Sequence, residues 1–402
     1  MTISLKMASL PKIKSMKFRV LLIALCLLIT SCKVSQKTDN YASDPTINFQ
    51  RFLDEEIGED EGNSVGLSLT VISPELHINF TGASGYDSLE KDNLLDAEQP
   101  FRIASLTKVF VAAAILRLRE NGQLSLEDPI SKYISLEHIE ILKKGGYHPN
   151  AITIRHCLTH SSGLYDYAEG GPEYIETAAK NSSKRWTRTE QIQFAMDYGK
   201  PHAAPGQEHH YSDTGYILLG EIIEKRTNSN LAKGLRNLLK FNELGMSATW
   251  LESLEPRPEG LKPSVRRYIG KLDASDWDNS IDLYGGGGLA STTRDLGVFL
   301  QALFNGKIFE QEESLPVMLL QKEYNANGKK LPEQRLGFGS IQGSKSGIVA
   351  YTHSGFWGTL FLHFPSYNCS IAVNDTNDGD SMVAQRVVNY IKRLAEEQKD
   401  NK

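Results

Sequence analysis

The sequence predicts an α+β fold in which one antiparallel sheet is built from both chain ends and flanked by helices. Two strand-like runs, VGLSLTVIS and ELHINFTGAS, lie near the start of the chain. Four more lie near its end, namely RLGFGSIQ, GIVAYTHSG, GTLFLHFP and CSIAVND. The long stretch between the two groups is mostly helical in pattern. This order predicts an inserted, mostly helical subdomain at about residues 105–330.

The helices follow in chain order. An amphipathic helix, TINFQRFLDEEIG, precedes the first strand, and the helical region begins at Ser105 with SLTKVFVAAAILRLRENGQ, which ends at an Asn-Gly stop. Further helices are predicted at TIRHCLTH, EQIQFAMDYG, GYILLGEIIEKRTN and TRDLGVFLQALFNG, with MVAQRVVNYIKRLAEEQ after the last strand. We therefore expect one domain over residues 46–395, followed by a charged tail at 396–402.

The first 31 residues have the pattern of a secretory signal peptide. Basic residues without a single acid precede the apolar run VLLIALCLLIT, which is shorter than the roughly 20 residues of a membrane-spanning helix. The run ends in ITSC, which resembles the bacterial lipobox and implies lipidation of Cys32. We expect residues 32–45 to be a lipidated cysteine and flexible tether. Lys33 after the cysteine implies an outer-membrane anchor facing the bacterial periplasm.

Composition excludes two classes of protein. Loss of the five basic residues of the signal would leave 39 Lys and Arg (44 − 5) against 49 acids, a net charge of −10. That balance offers no basic surface for nucleic acid, so no nucleic-acid partner is expected. Only Cys157 and Cys369 would remain as thiols, so a disulfide framework is not expected either.

The first candidate for chemistry is a serine followed three residues later by a lysine, Ser105 and Lys108. At the start of a helix both project from one face, and the serine meets backbone N–H groups that stabilise an oxyanion. Apolar neighbours are expected to lower the pKa of Lys108, making it a neutral base that activates the serine. In the alternative, Ser105 only caps the helix and Lys108 extends to water. Residues 9–12 and 88–91 repeat the spacing without this setting.

Two further stretches carry candidate groups. Tyr211, in PGQEHHYSDTGYILLGEIIE, lies just before a helix and can relay a proton, or can be a packed ring with its hydroxyl bonded. The strand in VAYTHSGFWGTLFLHFP reaches His353, Ser354 and Gly355. Glycine there lets the strand edge approach a substrate closely, although a lone histidine on a strand is more often structural.

The order of the three motifs resembles the serine β-lactamase and penicillin-binding-protein superfamily. The pattern of that superfamily is Ser-x-x-Lys, then Tyr-x-Asn, then Lys/His-Thr/Ser-Gly, and this chain has Ser-x-x-Lys, a tyrosine motif and His-Ser-Gly. The likeness includes ISKYI, TIRHCLTHSSGLYDY and GGGGLASTTRDLGVFL, covers about residues 46–395, and is greatest for the branch of class C β-lactamases, D-Ala-D-Ala carboxypeptidases and esterases. It implies a β-lactamase/transpeptidase-like fold.

The resemblance also implies catalytic roles. Ser105 would be the nucleophile, Lys108 its general base or hydrogen-bond partner, and Tyr211 the proton shuttle to the leaving group. The oxyanion hole would be formed by the backbone N–H groups of Ser105 and Phe356.

On the substrate side, His353 would replace the more common lysine, next to Ser354 and Gly355. Asp213 stands where the family usually has asparagine, and a carboxylate cannot donate to substrate unless it is protonated. An ionised Asp213 would also favour the charged form of Lys108. The motif can alternatively be aligned on Ser212-Asp213-Thr214, although the flanking Pro-Gly and Gly-Tyr favour Tyr211.

Two histidine patterns have spacings that occur among metal ligands. His156 and His160 are spaced i, i+4 but lack the glutamate of His-Glu-x-x-His, and the run Glu208-His209-His210 is another possible cluster. Structural roles are favoured for both. No metal and no organic cofactor is expected.

The sequence thus predicts a monomeric serine hydrolase that forms an acyl-enzyme with a small-molecule or peptide acyl donor. D-Ala-D-Ala peptides, β-lactams, esters and D-amino peptides remain open as substrates. The alternative is a non-catalytic lipoprotein that binds peptidoglycan or β-lactams as a sensor or scaffold.

Overall fold

A computed structural model describes residues 41–58, 64–320, 335–342, 349–377, 379 and 381–400. The signal peptide, Cys32 and nearly all of the tether lie outside these residues. Among the described residues no helix is both long and apolar enough to cross a bilayer.

The secondary structure alternates as the sequence predicts. The helices are α1 (Pro45–Gly58), α2 (Thr107–Glu120), α3 (Leu136–Lys144), α4 (Ile154–Leu158), α5 (Glu173–Lys180), α6 (Arg188–Tyr198), α7 (Asp213–Thr227), α8 (Leu231–Leu238), α9 (Thr293–Phe304), α10 (Ser314–Leu319) and α11 (Val383–Asp400). The strands are β1 (Gly66–Ser73), β2 (Ile78–Gly85), β3 (Phe101–Arg102), β4 (Trp250–Leu251), β5 (Tyr268–Ile269), β6 (Leu272–Asp273), β7 (Leu289–Ser291), β8 (Gly339–Gln342), β9 (Val349–Gly355), β10 (Thr359–Phe364) and β11 (Cys369–Asp375).

The main sheet joins the two ends of the chain, and this confirms the predicted fold class. Its six strands are ordered β2-β1-β11-β10-β9-β8, and all neighbours are antiparallel. The seam is the pairing of β1 with β11, where Leu67 lies opposite Asp375. Two small sheets, β3-β7-β4 and β5-β6, lie in the long segment between β2 and β8.

Each face of the sheet is covered by helices. On one face, α1 and α11 bury an apolar layer that includes Phe49 and Val387 against β1. On the other face α9 packs closely, with the Thr70 hydroxyl of β1 bonded to that of Thr293 at 3.0 Å. Beyond it, α2 is buried for nearly its whole length, and the ring of Phe110 stacks on that of Phe299 with centroids 3.8 Å apart. A polar group on α2 near the core therefore has to find its partners inside the protein.

Some elements differ from the prediction. The α-helix starts at Thr107, and Ser105 lies in a 3-10 turn, Ala104–Leu106, just before it. Helices α3, α5, α8 and α10 were not predicted; each has only six to nine residues, too few for a clear periodic signal. Helix α11 continues to Asp400.

The cover of the sheet by α1 gives a stability prediction. Phe49 is fully buried, whereas Ile47 on the same helix is 57% exposed. We expect Phe49→Ala to lower the free energy of unfolding by about 3–5 kcal/mol, because it removes a ring and leaves a cavity. Ile47→Ala should change it by less than about 0.5 kcal/mol. Urea unfolding followed by circular dichroism measures both, and equal losses would contradict this packing.

Candidate active site

The turn that carries Ser105 is held from several sides. Ala104 has a left-handed φ of 45°, a conformation that residues other than glycine rarely adopt. Ile103 is tied down at both backbone groups: its N–H donates to the Leu289 carbonyl at 2.9 Å, and its carbonyl accepts from the Thr359 hydroxyl at 3.1 Å. The strained turn is thereby fixed between β7 and β10, with Ser105 8% exposed.

Lys108 lies one turn on and has no contact with solvent. Its Nζ donates to Ser105 Oγ at 2.9 Å and to the carbonyl of Gly286 at 2.6 Å. It also forms an ion pair with Asp213 at the start of α7. The predicted contact between serine and lysine is therefore present, and the alternative in which Lys108 extends to water is wrong.

The predicted charge state of Lys108 needs correction. Burial alone would lower the pKa of its amine, as expected from its apolar neighbours. The negative charge of Asp213 and the hydrogen bond that its carboxylate accepts outweigh burial, and Asp282 adds to them where it is ionised. The pKa of Lys108 is raised above its ordinary value, so the resting amine is a cation. The prediction that Asp213 favours the charged amine is confirmed.

Tyr211 completes the group around the serine. Its hydroxyl donates to Ser105 Oγ at 2.9 Å, and its ring lies 4.9 Å from Lys108 Nζ. Burial and the charge of Asp213 raise the pKa of this phenol well above its usual range, so the proton stays on the oxygen at neutral pH. Ser212, one residue on, hydrogen-bonds with Tyr165 and His160. The geometry favours the alignment on Tyr211.

Asp213 lies within the protein with 3% exposure and faces the loop of four glycines. A Cβ atom on Gly286 would approach the Asp213 carboxylate to 2.7 Å, so glycine is required there for the loop to come this close. The predicted substrate contact of Asp213 stays a prediction. In the resting protein its partner is Lys108.

Three more carboxyl groups act on this centre. Burial raises the pKa of Asp282 to about 8, and the charge of Asp213 adds to the effect. The same two causes raise the pKa of Asp166 well above its usual range. The charge of Asp213 acts in the same direction on Glu169, although that side chain is exposed. Burial is the larger cause for Asp166 and Asp282, and it favours the neutral, protonated form of both carboxyls.

The strand β9 forms the opposite side of the site. His353, Ser354 and Gly355 are half-buried at its end, where Gly355 pairs with Thr359 of β10. A Cβ atom on Gly355 would collide with the Ile103 carbonyl, so β9 lies directly against the turn of Ser105. Phe356 follows at once, half-buried, and its amide as an oxyanion donor stays a prediction.

His353 is neutral in this setting. Burial lowers the pKa of its imidazole to about 4, and the charge of Lys108 acts in the same direction. Its Nδ1 lies 2.7 Å from the Ser354 carbonyl and therefore carries the hydrogen of that bond. The residue that replaces the usual lysine thus brings no positive charge at neutral pH.

The other histidine candidates have structural partners. Nδ1 of His156 accepts from the Thr153 N–H at 3.1 Å in a capping box, and Nδ1 of His160 accepts from the Ser212 N–H at 3.1 Å. The ring of His210 stacks on that of His202. Across the described ranges, no trio of His, Cys, Asp or Glu is arranged to hold a metal ion.

Several residues of the site were not singled out from the sequence. Asp166 ends the segment quoted for the family likeness, and Asp282 precedes the glycines whose loop supplies the Gly286 carbonyl. The sequence signal that could have identified Asp166 and Asp282 was the position of each acid next to a motif of the family. It gave no indication that both carboxyls lie near Lys108.

Comparison with known proteins then identifies the fold and family. A family model described as Beta-lactamase matches residues 49–394. The chain belongs to the β-lactamase family of serine hydrolases. The family match spans α1 to α11 and therefore includes Ser105, Lys108, Tyr211 and His353.

Three relatives illustrate the range of this β-lactamase family. Penicillin-binding protein 4* of Bacillus subtilis is 26% identical over 327 residues, which are 76% of this chain and 66% of that protein. D-amino acid amidase from Ochrobactrum anthropi SV3 has a TM-score of 0.71 and 26% identity, covering 89% of this chain and 99% of its own. An octameric penicillin-binding protein homologue from Pyrococcus abyssi has a TM-score of 0.65 and 25% identity, covering 82% and 73%. The chain spans no more than about two thirds of the curated relatives it matches.

The buried ion pair gives the prediction for this site. Lys108→Met keeps the volume of the side chain but leaves Asp213 buried without its cation, so we expect a loss of about 3–5 kcal/mol in the free energy of unfolding at pH 7. Adding Asp213→Asn should restore most of that loss, because no buried charge then remains. Urea unfolding is the measurement.

Lys143→Met is the matched control, since Lys143 forms an exposed pair with Glu140 and should cost less than about 1 kcal/mol. A Lys108→Met protein as stable as the parent would contradict the ion pair.

Proposed function

We propose that this chain is a serine hydrolase that cleaves amides or esters through an acyl-enzyme on Ser105. The observation that carries the proposal is the pair of 2.9 Å hydrogen bonds that Lys108 and Tyr211 both make to Ser105 Oγ. A serine that only caps a helix has no need of two titratable partners on its oxygen.

In the proposed reaction, Ser105 Oγ attacks the acyl carbon and the bond to the leaving group breaks. For this to happen, the proton of Lys108 first shifts to Asp213, with which it is paired, and the neutral amine then accepts the serine proton. Tyr211 passes its proton to the leaving nitrogen or oxygen and regains one from Lys108. Water reverses the sequence, so the hydrolysed acid is released and Ser105 is restored.

The charges of the site support donors that carry a free amine. His353 is neutral and offers no cation to a substrate carboxylate, whereas Asp166 and Asp282 have pKa values raised by burial and by the charge of Asp213. A substrate ammonium near these acids would favour their ionised form and be attracted by it, whereas a substrate carboxylate would be repelled. The similarity to a D-amino acid amidase supports the same class of donor.

The test compares D-phenylalanine amide with its N-acetyl derivative, which differs in that charge. We expect kcat/KM to be at least roughly tenfold higher for the free amine, because a hydrogen bond to a charged group contributes about 1.5–3 kcal/mol. Benzylpenicillin, which carries a carboxylate, should acylate Ser105 slowly, as followed by intact mass and peptide mapping.

Two variants serve as controls. Ser105→Ala should remove hydrolysis and every covalent adduct. Asp213→Asn restores the usual asparagine and should increase β-lactam turnover. It should also reduce the ratio of kcat/KM for D-phenylalanine amide to that for its N-acetyl derivative. Equal rates for the two amides would reject the amine preference alone. Absence of any adduct or hydrolysis with amides, esters and β-lactams would reject the hydrolase and favour the binding lipoprotein.

We further propose that the chain is an exported lipoprotein, anchored through Cys32 to the outer membrane and facing the periplasm as a monomer. The apolar run that ends at Cys32 supports this proposal. Metabolic labelling with an alkyne fatty acid should tag the parent but not Cys32→Ser, and the variant should leave the membrane fraction. Equal labelling would contradict lipidation, and an assembly on size exclusion, as in the octameric homologue, would contradict the monomer.

A further inference from the structure

His160 is a buried histidine that the proposed reaction does not use. It follows α4, with 8% exposure and a left-handed φ of 52°. Neither a metal nor a carboxylate is bonded to it in any described contact. A histidine held in this strained backbone conformation against Tyr211, which itself bonds to Ser105, calls for a physical explanation.

The contacts of His160 converge on Tyr211 from three directions. The backbone N–H of His210 donates to the His160 carbonyl at 2.8 Å, and the N–H of Ser212 donates to its Nδ1 at 3.1 Å. The two residues that flank Tyr211 are therefore both bonded to His160. The rings of His160 and Tyr211 also stack, with centroids 4.3 Å apart and an angle of 24°.

This arrangement defines the protonation state of His160. Since the Ser212 N–H can only donate, Nδ1 must accept and the ring hydrogen lies on Nε2. Burial and the nearby charges of His209 and Lys108 lower the pKa of the imidazole well below its usual range. The neutral ring keeps both its stack and its acceptor near pH 7.

We infer that His160 is a positioning residue that fixes the ring and backbone of Tyr211 so that the phenol points at Ser105 Oγ. The inference rests on the proposed acyl-transfer function. None of the described contacts of His160 reaches Ser105, so it acts through Tyr211. A displacement of the phenol by about 1 Å would cost on the order of 100-fold in rate.

Two substitutions separate the ring stack of His160 on Tyr211 from the hydrogen bond that His160 accepts from the Ser212 N–H. His160→Asn tolerates the left-handed backbone and offers an amide oxygen in place of Nδ1, but it has no ring to stack. His160→Phe keeps the ring and removes the acceptor. We expect each to lower kcat for D-phenylalanine amide by roughly 10–100-fold and to leave KM nearly unchanged, because the lost interaction orients a catalytic group.

A double-mutant cycle with Tyr211→Phe tests the route of the effect. In that background the His160 substitutions should change kcat by less than about twofold, since there is no phenol left to position. Shifts in melting temperature should be the same in both backgrounds. Equal rate losses with and without Tyr211 would overturn the inference and assign His160 to the fold alone.

A spectroscopic readout is independent of turnover and separates failure of this inference from failure of the proposed function. With ¹³C-labelled tyrosine, the signal absent from Tyr211→Phe belongs to Tyr211. In the parent this phenol should resist titration well above the usual pKa of about 10, and in His160→Asn it should titrate nearer to that value. An unchanged titration would overturn the inference even if the parent hydrolyses amides, and a shifted one would support it even if the parent is inactive on every donor.

Discussion

The ion pair between Lys108 and Asp213 is the interaction on which the site depends. It joins the first turn of α2 to the first turn of α7, and the Gly286 carbonyl adds a third segment to the same amine. Two charges without access to water hold each other only while the geometry remains good. The nucleophile is therefore positioned by a charge interaction between helices that are far apart in sequence.

This pair also determines how the base is made available. An amine that is desolvated among apolar groups would be neutral, and Lys108 instead retains its proton because carboxyl groups surround it. Burial and the charge of Asp213 raise the pKa values of Asp166 and Asp282, so both carboxyls favour the protonated form more than an exposed acid does. Asp213 in place of the usual asparagine adds a negative charge to the site, and the neutral His353 adds no positive charge. Both differences make the site less positive.

Much of the fold and the core of the site could be predicted from the sequence. Strand-like runs near the two chain ends predicted the six strands of the main sheet, and the family resemblance of the ordered motifs implied that Ser105, Lys108 and Tyr211 would meet. Two opposing effects on the pKa of Lys108 were predicted, a lowering by apolar neighbours and a raising by Asp213. Only the fold shows which is larger, because it brings Asp166 and Asp282 from separate segments near the amine as well. His160 was considered as a metal ligand for its spacing, yet its contacts depend on a loop that returns to it fifty residues later, with Ser212.

The seam between β1 and β11 has a consequence for the growing polypeptide. Leu67 cannot pair with Asp375 until residue 375 has left the ribosome. The strand β9 contacts the turn of Ser105 through Gly355, which must also have been made. Strand pairings this distant in sequence form slowly, because closing the long loop between them costs conformational entropy. Nascent and truncated chains that stop before Gly355 therefore contain Ser105 without the strand that completes its surroundings, so the nucleophile is assembled only after β9 has been made.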